Sequence, residues 1–287
     1  IVFHSLGLFI FDFAKVIHFK GLSSLPKTLL NCAYSAIQVK FLSMTMITKY
    51  RKLISKKTFH IWNDFVSLFF PVVCVSCGKN LFKNENSICT YCLYHLPQTG
   101  FHLTNDNPVA KIFWGRINIE AAAAFYTFNK GGHVQQLIHQ LKYKGQQQVG
   151  VDLGKLYGFE LQNSSPFSTV DLIVPVPLHK VKQRKRGYNQ SACFAQGLAE
   201  TLKRETDTTI LFRSSSSESQ TKKSRFFRWK NVENLFYIKN EHRLQHKHIL
   251  LVDDVITTGA TLEACAQTLL KIEGVKLSIA TIAYASN

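Results

Sequence analysis

The residues best suited to chemistry lie in the segment ILLVDDVITTGATLEAC, which spans residues 249–265. Four apolar residues precede Asp253 and Asp254, and a hydroxyl-rich loop, TTGAT at 257–261, follows them. A loop that opens a helix presents unpaired N–H groups and the positive end of the helix dipole, which suit a phosphate. Carboxylates would repel a phosphate, so their natural partners are sugar hydroxyls or a hydrated cation. Together these features predict a ribose 5-phosphate ligand; the alternative is a turn that only caps a helix.

A strand before this loop and a helix after it must hold these groups in place. The continuously apolar residues 249–252 predict a strand that is covered on both faces. Residues 275–285 predict the next strand, and Gly274 is predicted to stop the helix, with Lys271 in its last turn. Ligands of such strand–helix–strand units bind beyond the carboxyl ends of the strands. The helix is predicted from apolar residues at three- and four-residue steps: Leu262, Cys265, Leu269 and Ile272.

A second basic region follows another predicted strand, DLIVPVPLH at 171–179. Pro175 and Pro177 would take the chain out of the sheet there. A basic loop, KVKQRKRGYNQS, and then a helix are predicted to come next. Upstream, 121–128 predicts a strand and 133–145 a helix that ends with Lys142 and Lys144, where cations suit the helix dipole.

Four of the seven cysteines have the spacing of a metal site, C-x₂-C-x₁₁-C-x₂-C. Two C-x-x-C turns offer four thiolates in tetrahedral geometry with no open position, which predicts a structural zinc. An iron–sulfur cluster and a disulfide pair are the alternatives, although a disulfide would suit a secreted protein. The predicted ligands are Cys74, Cys77, Cys89 and Cys92.

The composition restricts the partners of the chain. Its 287 residues carry a net charge of +17, which favours polyanions such as nucleic acid, pyrophosphate or an anionic membrane surface. Residues 1–43 are predicted to be a non-native or disordered extension, with a peripheral membrane helix as the alternative. The uncharged run 1–11 is too short to span a bilayer, which needs about 20 apolar residues.

The segment VDDVITTGAT resembles the phosphoribosyl-diphosphate (PRPP) signature of type I phosphoribosyltransferases. The resemblance implies an α/β fold, a Rossmann-like parallel sheet with flanking helices, and PRPP bound together with Mg²⁺. Asp253 and Asp254 would then bind the ribose hydroxyls. The residues implied to bind the 5-phosphate are Thr257, Thr258, Gly259, Ala260 and Thr261.

In such an enzyme a backbone turn and cations must hold the pyrophosphate that leaves. The region PVPLH…RKRGYNQ suits this role, because it follows a neighbouring strand. Arg184 and Arg186 would stabilise the departing charge. The whole predicted pyrophosphate loop consists of Pro177, Leu178, Arg184, Arg186 and Gly187.

The order of several motifs narrows the resemblance to the ComF family over residues 60–285. These motifs are the cysteine pairs, LKYKG, PVPLH, RGYNQS, SQTKKSRFFRWKNVENLF and VDDVITTGAT. The resemblance implies a cytoplasmic protein that is linked to competence and DNA uptake or to nucleotide metabolism. It also implies a zinc-ribbon module with an N-terminal helix at 44–105 and a phosphoribosyltransferase-like domain at 110–287. In the ComF family an arginine is usual just ahead of the x-Q pair that ends at Gln220 in this chain. The stretch RSSSSES before Gln220 lacks that arginine, which puts one anion contact in doubt.

Two functions remain open from the sequence. The first is a phosphoribosyltransferase that acts on PRPP with an unassigned acceptor. The second is a binding protein without catalysis, in which TKKSRFFRWK at 221–230 binds single-stranded DNA or a partner of the DNA-uptake machinery. Phe226, Phe227 and Trp229 would stack on bases between the cations.

Overall fold

The computed structural model describes residues 71–214 and 235–285. A five-stranded sheet forms its centre, with the strand order β1-β7-β6-β2-β3 and every neighbouring pair parallel. A separate antiparallel ribbon pairs β4 with β5. In chain order the strands are β1 Ala121–Thr127, β2 Leu172–Pro175, β3 Glu205–Thr206, β4 Leu211–Arg213, β5 Phe236–Ile238, β6 His248–Ile256 and β7 Lys276–Tyr284.

Eight α-helices connect and cover these strands in the described residues. The three that matter most for the site are α3, α7 and α8. In chain order the helices are α1 Thr90–His95, α2 Pro108–Lys111, α3 His133–Tyr143, α4 Gln147–Leu161, α5 Ser165–Ser168, α6 Lys180–Arg186, α7 Gln190–Leu202 and α8 Ala260–Leu269.

The sheet is covered on both faces, which is why its strands are continuously apolar. Along β6, Leu250 and Val252 pack with the cluster that contains α4 and α7, whereas Ile249 and Leu251 pack with the cluster around α8. All four side chains are fully buried. This alternation is the period of two expected for a strand between two layers.

Helices α4 and α7 approach each other so closely that only glycine fits where they cross. A Cβ atom on Gly154 would lie 2.3 Å from the Phe194 carbonyl oxygen and 2.9 Å from the Cα of Gly197. No side chain can occupy that space, so the backbone of α7 packs directly on the backbone of α4.

The predicted strands at 121–128 and 275–285 and the helix that starts at residue 133 are confirmed, and the strand predicted at 171–179 is present over Leu172–Pro175. Two further boundaries and one predicted loop were wrong. Strand β6 continues through both aspartates to Ile256, because β7 provides ladder partners as far as Tyr284. Helix α8 ends at Leu269, so Lys271 and Gly274 lie beyond it. Residues 180–186 form α6 rather than a loop, because Lys, Gln and Arg favour helix and the His179 side chain caps its start.

The four-cysteine segment packs into the same compact unit as the sheet, which spans residues 72–287. Cys74, Cys89 and Cys92 belong to the same buried cluster as Leu137 and Leu141 of α3. The segment between the cysteines and β1 is also hydrogen-bonded to that strand, because the N–H group of Thr127 in β1 donates to the Pro97 carbonyl oxygen at 2.9 Å. The division into 44–105 and 110–287 stays a prediction.

Several sequence predictions lie outside the described residues: the extension 1–43, the N-terminal helix predicted ahead of the cysteine pairs and the basic segment 221–230. Within the part of the chain that is described, no helix combines the length and the apolar character needed to span a membrane.

Candidate functional site

Asp253 and Asp254 lie in the last part of β6, past the point where its neighbour β2 ends. The last paired residues of these strands are Pro175 and Val252, after which only the N–H group of Val176 still donates to the Val252 carbonyl oxygen. The aspartates therefore stand at the carboxyl edge of the sheet, beside a strand that has already left it. This is the edge at which open α/β sheets bind ligands.

Each aspartate has a different partner. The Ser191 hydroxyl, in the first turn of α7, donates to Asp253 Oδ1 at 2.8 Å. The same oxygen accepts the backbone N–H group of Asp254 at 2.8 Å. Asp254 Oδ2 lies 2.9 Å from the Nζ atom of Lys142, near the C-terminal end of α3. Both carboxylates are thus held by groups from helices that are remote in sequence.

Burial and the neighbouring charge of Asp254 raise the pKa of Asp253 to about 7. The hydrogen bond from Ser191 and the charge of Lys142 oppose that rise without cancelling it. Asp253 therefore exchanges its proton near neutral pH. A ligand whose hydroxyl groups donate to this pair would favour the ionised form.

The TTGAT loop turns sharply from β6 into α8. Gly259 is the N-cap residue of α8 and has a φ of 74°, in the left-handed region that favours glycine. It is also packed tightly, because a Cβ atom there would lie 2.6 Å from Ile112 Cγ2. A small depression is lined by Asp253, Leu262 and the loop between them.

This loop has the properties of an anion site. Thr257, Thr258, Ala260 and Thr261 are exposed, and Gly259 has no side chain that could cap the helix. The first N–H groups of a helix have no intrahelical acceptor, so those of α8 are free to bind an external oxygen. Backbone donors, three threonine hydroxyls and the helix dipole thus converge near the aspartates.

The region predicted to hold pyrophosphate begins directly after β2 with the partly buried Pro177 and Leu178. Arg184 is exposed on α6, and Gly187 ends that helix with a φ of 80°. Arg186 donates to Gln190 Oε1 at 2.6 Å, and its guanidinium group lies 5.3 Å from the centre of the Tyr143 ring. The assignment of these residues to pyrophosphate stays a prediction.

Asn189 ties this region to the aspartates. Its amide group donates to the Val176 carbonyl oxygen at 2.9 Å, and its Oδ1 atom accepts the N–H group of Ser191 at 3.1 Å. The cap of α7 is thereby fixed to the end of β2. Ser191 is placed beside Asp253 as a result.

Two residues of the site were not found from the sequence. Lys142 was assigned only to the end of a helix, and Ser191 was read only as part of the motif RGYNQS. The signal for Ser191 was its position just after Asn189, a typical N-cap residue. For Lys142 the motif LKYKG was noted, but nothing local indicates that its ammonium group reaches β6.

The four predicted zinc ligands converge. The sulfur atoms of Cys74, Cys77, Cys89 and Cys92 all lie within 4.8 Å of one another. The N–H group of Cys89 donates to the Cys74 sulfur at 3.2 Å, and that of Cys92 to the Cys89 sulfur at 3.4 Å. Four sulfur donors with this spacing and these N–H partners fit a tetrahedral metal ion.

The environment of Cys74 favours the thiolate that a metal requires. Burial raises its pKa, but hydrogen bonds from the backbone of Cys89, Cys77 and Ser76 outweigh burial and lower the pKa to about 7. For Cys92, burial dominates and raises the pKa. If these buried thiols ionise without a cation nearby, their unpaired negative charges cost free energy.

Comparison with known proteins agrees with this arrangement. The phosphoribosyl transferase domain family matches residues 189–287. The DNA utilization protein YhgH of Escherichia coli is 30% identical over 203 residues, covering 69% of this chain and 84% of that protein. The competence protein ComFC of Bacillus subtilis is 30% identical over 208 residues, which cover 69% of this chain and 78% of that protein. The chain belongs to the ComF family. Competence protein F of Haemophilus influenzae is 26% identical over 214 residues, 71% of this chain and 93% of that protein.

Membership of the ComF family confirms the resemblance found in the motifs. The predicted α/β class with a type I phosphoribosyltransferase domain is confirmed as well, by the domain match and by the parallel five-stranded sheet. The cysteine tetrad lies ahead of that domain.

Proposed function

We propose that this ComF-family protein binds Mg²⁺-PRPP at the carboxyl edge of its sheet and transfers the phosphoribosyl group to an acceptor. The observation that carries this proposal is the junction of β6 and α8. There two carboxylates stand just ahead of a glycine-capped helix start with three exposed threonines. A diol and a phosphate on one sugar satisfy both halves of that junction.

In the proposed complex Asp253 and Asp254 accept hydrogen bonds from the ribose 2- and 3-hydroxyls. Residues 257–261 donate backbone and hydroxyl groups to the 5-phosphate. Arg184 and Arg186, with the turn at Gly187, balance the charge of the pyrophosphate. Pro177 and Leu178, which precede α6, complete the proposed pyrophosphate region.

The reaction follows from these positions. The bond between ribose C1 and the pyrophosphate oxygen breaks, and its electron pair leaves with the pyrophosphate. A lone pair of the acceptor then forms the new bond to C1. The cations lower the barrier because negative charge builds up on the leaving oxygen. The phosphate oxygens of PRPP would hold Mg²⁺ as hard oxygen donors, and the ion would add to the neutralisation of the leaving pyrophosphate.

The test is PRPP binding by calorimetry and thermal shift in the presence of Mg²⁺. A ligand at about 100 times its Kd stabilises by about 2.7 kcal/mol, so a bound protein shows a clear shift. Asp253→Asn and Asp254→Asn should each weaken PRPP at least about tenfold, because a hydrogen bond to a charged group contributes roughly 1.5–3 kcal/mol. Asp106→Asn, a surface carboxylate paired with Lys111, is the matched control.

Ribose 5-phosphate should compete with PRPP, because it keeps both the diol and the phosphate. Pyrophosphate should compete less well, because it reaches only the region of Arg184 and Arg186. No binding of PRPP by the wild-type protein would overturn the proposal.

The cysteine cluster supports a second assignment, a structural zinc ion held by Cys74, Cys77, Cys89 and Cys92. Zinc is favoured over an iron–sulfur cluster because the four sulfur atoms, all within 4.8 Å of one another, leave room for a single ion. The expected content is one zinc per chain. Elemental analysis of freshly reduced protein that finds iron, or neither metal, would contradict it.

A second candidate function is single-stranded DNA binding in DNA uptake. The relatives named for DNA utilization and competence favour it, as does the charge of +17. The basic and aromatic segment 221–230 is the proposed contact, and the cytoplasm is the proposed location. A salt titration separates the candidates, because phosphate contacts lose affinity steeply with salt whereas a PRPP-only protein binds DNA weakly throughout.

A further inference from the structure

Lys142 reaches from α3 to the aspartate pair, and the helix itself gives no reason for it to do so. Its ammonium nitrogen lies 2.9 Å from Asp254 Oδ2, with side chains 21% and 13% exposed. A cation near the end of a helix is favoured by the dipole, but Lys144 already satisfies that preference from an exposed position one residue beyond α3. The contact of Lys142 with β6 therefore needs another explanation.

Both neighbours of Lys142 are fixed by the segment that leads into α7. The Leu141 side chain is fully buried, and its carbonyl oxygen accepts a hydrogen bond from the Tyr188 hydroxyl. On the other side, the Arg186 guanidinium group lies over the Tyr143 ring at 5.3 Å. With residues 141 and 143 held in this way, the backbone at Lys142 has little freedom, and its side chain is directed to the sheet edge.

We propose that Lys142 is a positioning residue of the aspartate pair: its ammonium group neutralises Asp254, orients that carboxylate and allows both acids to accept hydrogen bonds at neutral pH. This inference rests on the proposed function for its benefit to ligand binding. The effect of Lys142 on the two acids does not depend on the ligand.

The reasoning is electrostatic. Two adjacent carboxylates at a half-buried edge disfavour double ionisation, and a cation within hydrogen-bond distance of one reduces the repulsion felt by the other. The groups that face Asp253 are Lys142 on α3, Ser191 on α7, Cys265 on α8, Thr281 on β7 and Asp254 beside it. Lys142 supplies the positive charge in that set, so its removal should leave Asp253 protonated to a higher pH.

The first experiment measures protonation without any ligand. Carboxyl carbon NMR would follow Asp253, assigned with Asp253→Asn, across pH 5–10 in wild-type protein and four variants. Lys142→Met and Lys142→Gln should move the midpoint upward by about 1–3 pH units, the usual influence of one close charge. Lys142→Arg should restore it. Lys144→Met, which removes the same charge from the same helix end, should leave it unchanged.

Two results of that titration would overturn the proposal. The first is a midpoint that is the same in wild type and in the folded Lys142 variant; having two neutral variants guards against one that fails to fold. The second is an equal shift from Lys144→Met, which would show a general surface-charge effect. A purely structural role for Lys142 would lower the melting temperature without moving the midpoint.

The second experiment measures affinity for PRPP and for ribose 5-phosphate against pH. In wild-type protein both affinities should rise as the pH increases through about 7, where Asp253 ionises. In Lys142→Met the rise should occur at higher pH, giving about a tenfold loss at pH 7 that disappears at high pH, since one unit corresponds to tenfold. PRPP affinity lost equally at every pH, with ribose 5-phosphate unaffected, would instead make Lys142 a pyrophosphate contact and overturn the inference. If wild-type protein binds neither ligand, the proposed function fails while the NMR titration still decides the role of Lys142.

Discussion

The cysteine cluster and the aspartate site are built in opposite ways. All four cysteines lie between residues 74 and 92, so one short segment supplies the complete ligand set. The aspartate site draws Lys142 from α3, Ser191 from α7 and its carboxylates from β6. Local spacing specifies the first site, whereas the second exists only after helices and sheet have packed.

The two sites also differ in how their charge is balanced. Four thiolates close together repel one another, and the cation that would balance them must come from outside the chain. The aspartates are balanced from within, by an ammonium group and a hydroxyl group that the fold delivers. We therefore expect metal removal to affect stability strongly, and changes at the sheet edge to affect ligand binding and pH dependence.

Loss of the metal should have the largest effect. Cys92→Ser removes a buried sulfur and should abolish zinc binding and destabilise the unit by at least about 3 kcal/mol, since structural zinc contributes far more in small modules. Zinc content and urea unfolding measure this. Cys193→Ala, a buried cysteine outside the cluster, should keep one zinc per chain. If Cys92→Ser retained one zinc per chain, the cysteine cluster would not be the metal site and its contrast with the aspartate site would fail.

The loop glycine should have the next largest effect. Gly259→Ala forces a side chain into a backbone with φ of 74° and into contact with Ile112 at 2.6 Å. We expect a cost of about 2–4 kcal/mol, the sum of left-handed strain and overpacking. Gly131→Ala is the matched control, because it has a φ of 78° but nothing within 4 Å, so only the strain of about 1–2 kcal/mol remains. Equal losses in the two variants, measured by urea unfolding, would show that the close packing is unimportant.

Much of this site was accessible from the sequence, and the reason is physical. A strand, a tight glycine turn and a helix start are encoded by neighbouring residues, so VDDVITTGAT identified its own geometry. The same holds for the cysteine spacing. Both patterns report short-range constraints, whereas the length of the strand ahead of the loop is set by its pairing with β7.

The remainder depended on contacts between distant segments. Strand β6 runs past Asp253 only because β7 is long enough to pair with it, and no local signal in 249–252 gives that length. The reach of Lys142 depends on how α3 crosses the sheet edge. Helix α6 was mistaken for a loop because its charges suggested solvent, whereas its residue types and the His179 cap favour helix.

A smaller effect concerns Asp253 and stability. In the folded state its pKa is raised from the ordinary value of 3.8 to about 7. Folding therefore takes up a proton between these pH values, and the free energy of unfolding falls as the pH rises through that interval. Asp253→Asn cannot ionise and keeps an acceptor for Ser191. Between pH 4 and 8, its free energy of unfolding should rise by about 1–2 kcal/mol relative to that of wild type. This is less than the full pKa shift would give, because Asp253 is only partly buried. Unfolding curves at both pH values test this. If the stability difference between the variant and wild type were the same at pH 4 and pH 8, the prediction would be contradicted.

The smallest effect is expected at the pyrophosphate region. Arg186→Gln should weaken PRPP by several-fold, about 1 kcal/mol, because the arginine is shared with Gln190 and Tyr143 and gives up part of those contacts. Ribose 5-phosphate affinity should not change. Calorimetry with both ligands provides the comparison, and an equal loss for the two would place Arg186 away from the pyrophosphate.

The position of β7 in the sheet has a consequence for synthesis on the ribosome. This strand comes last in sequence order among those described, yet it lies between β1 and β6. Until residues 276–284 have emerged, both neighbours present open edges that can pair with other chains. The sheet is therefore complete only after residues 276–284 have been translated. Slow translation or early termination in this region should favour aggregation of the nascent chain over partial folding.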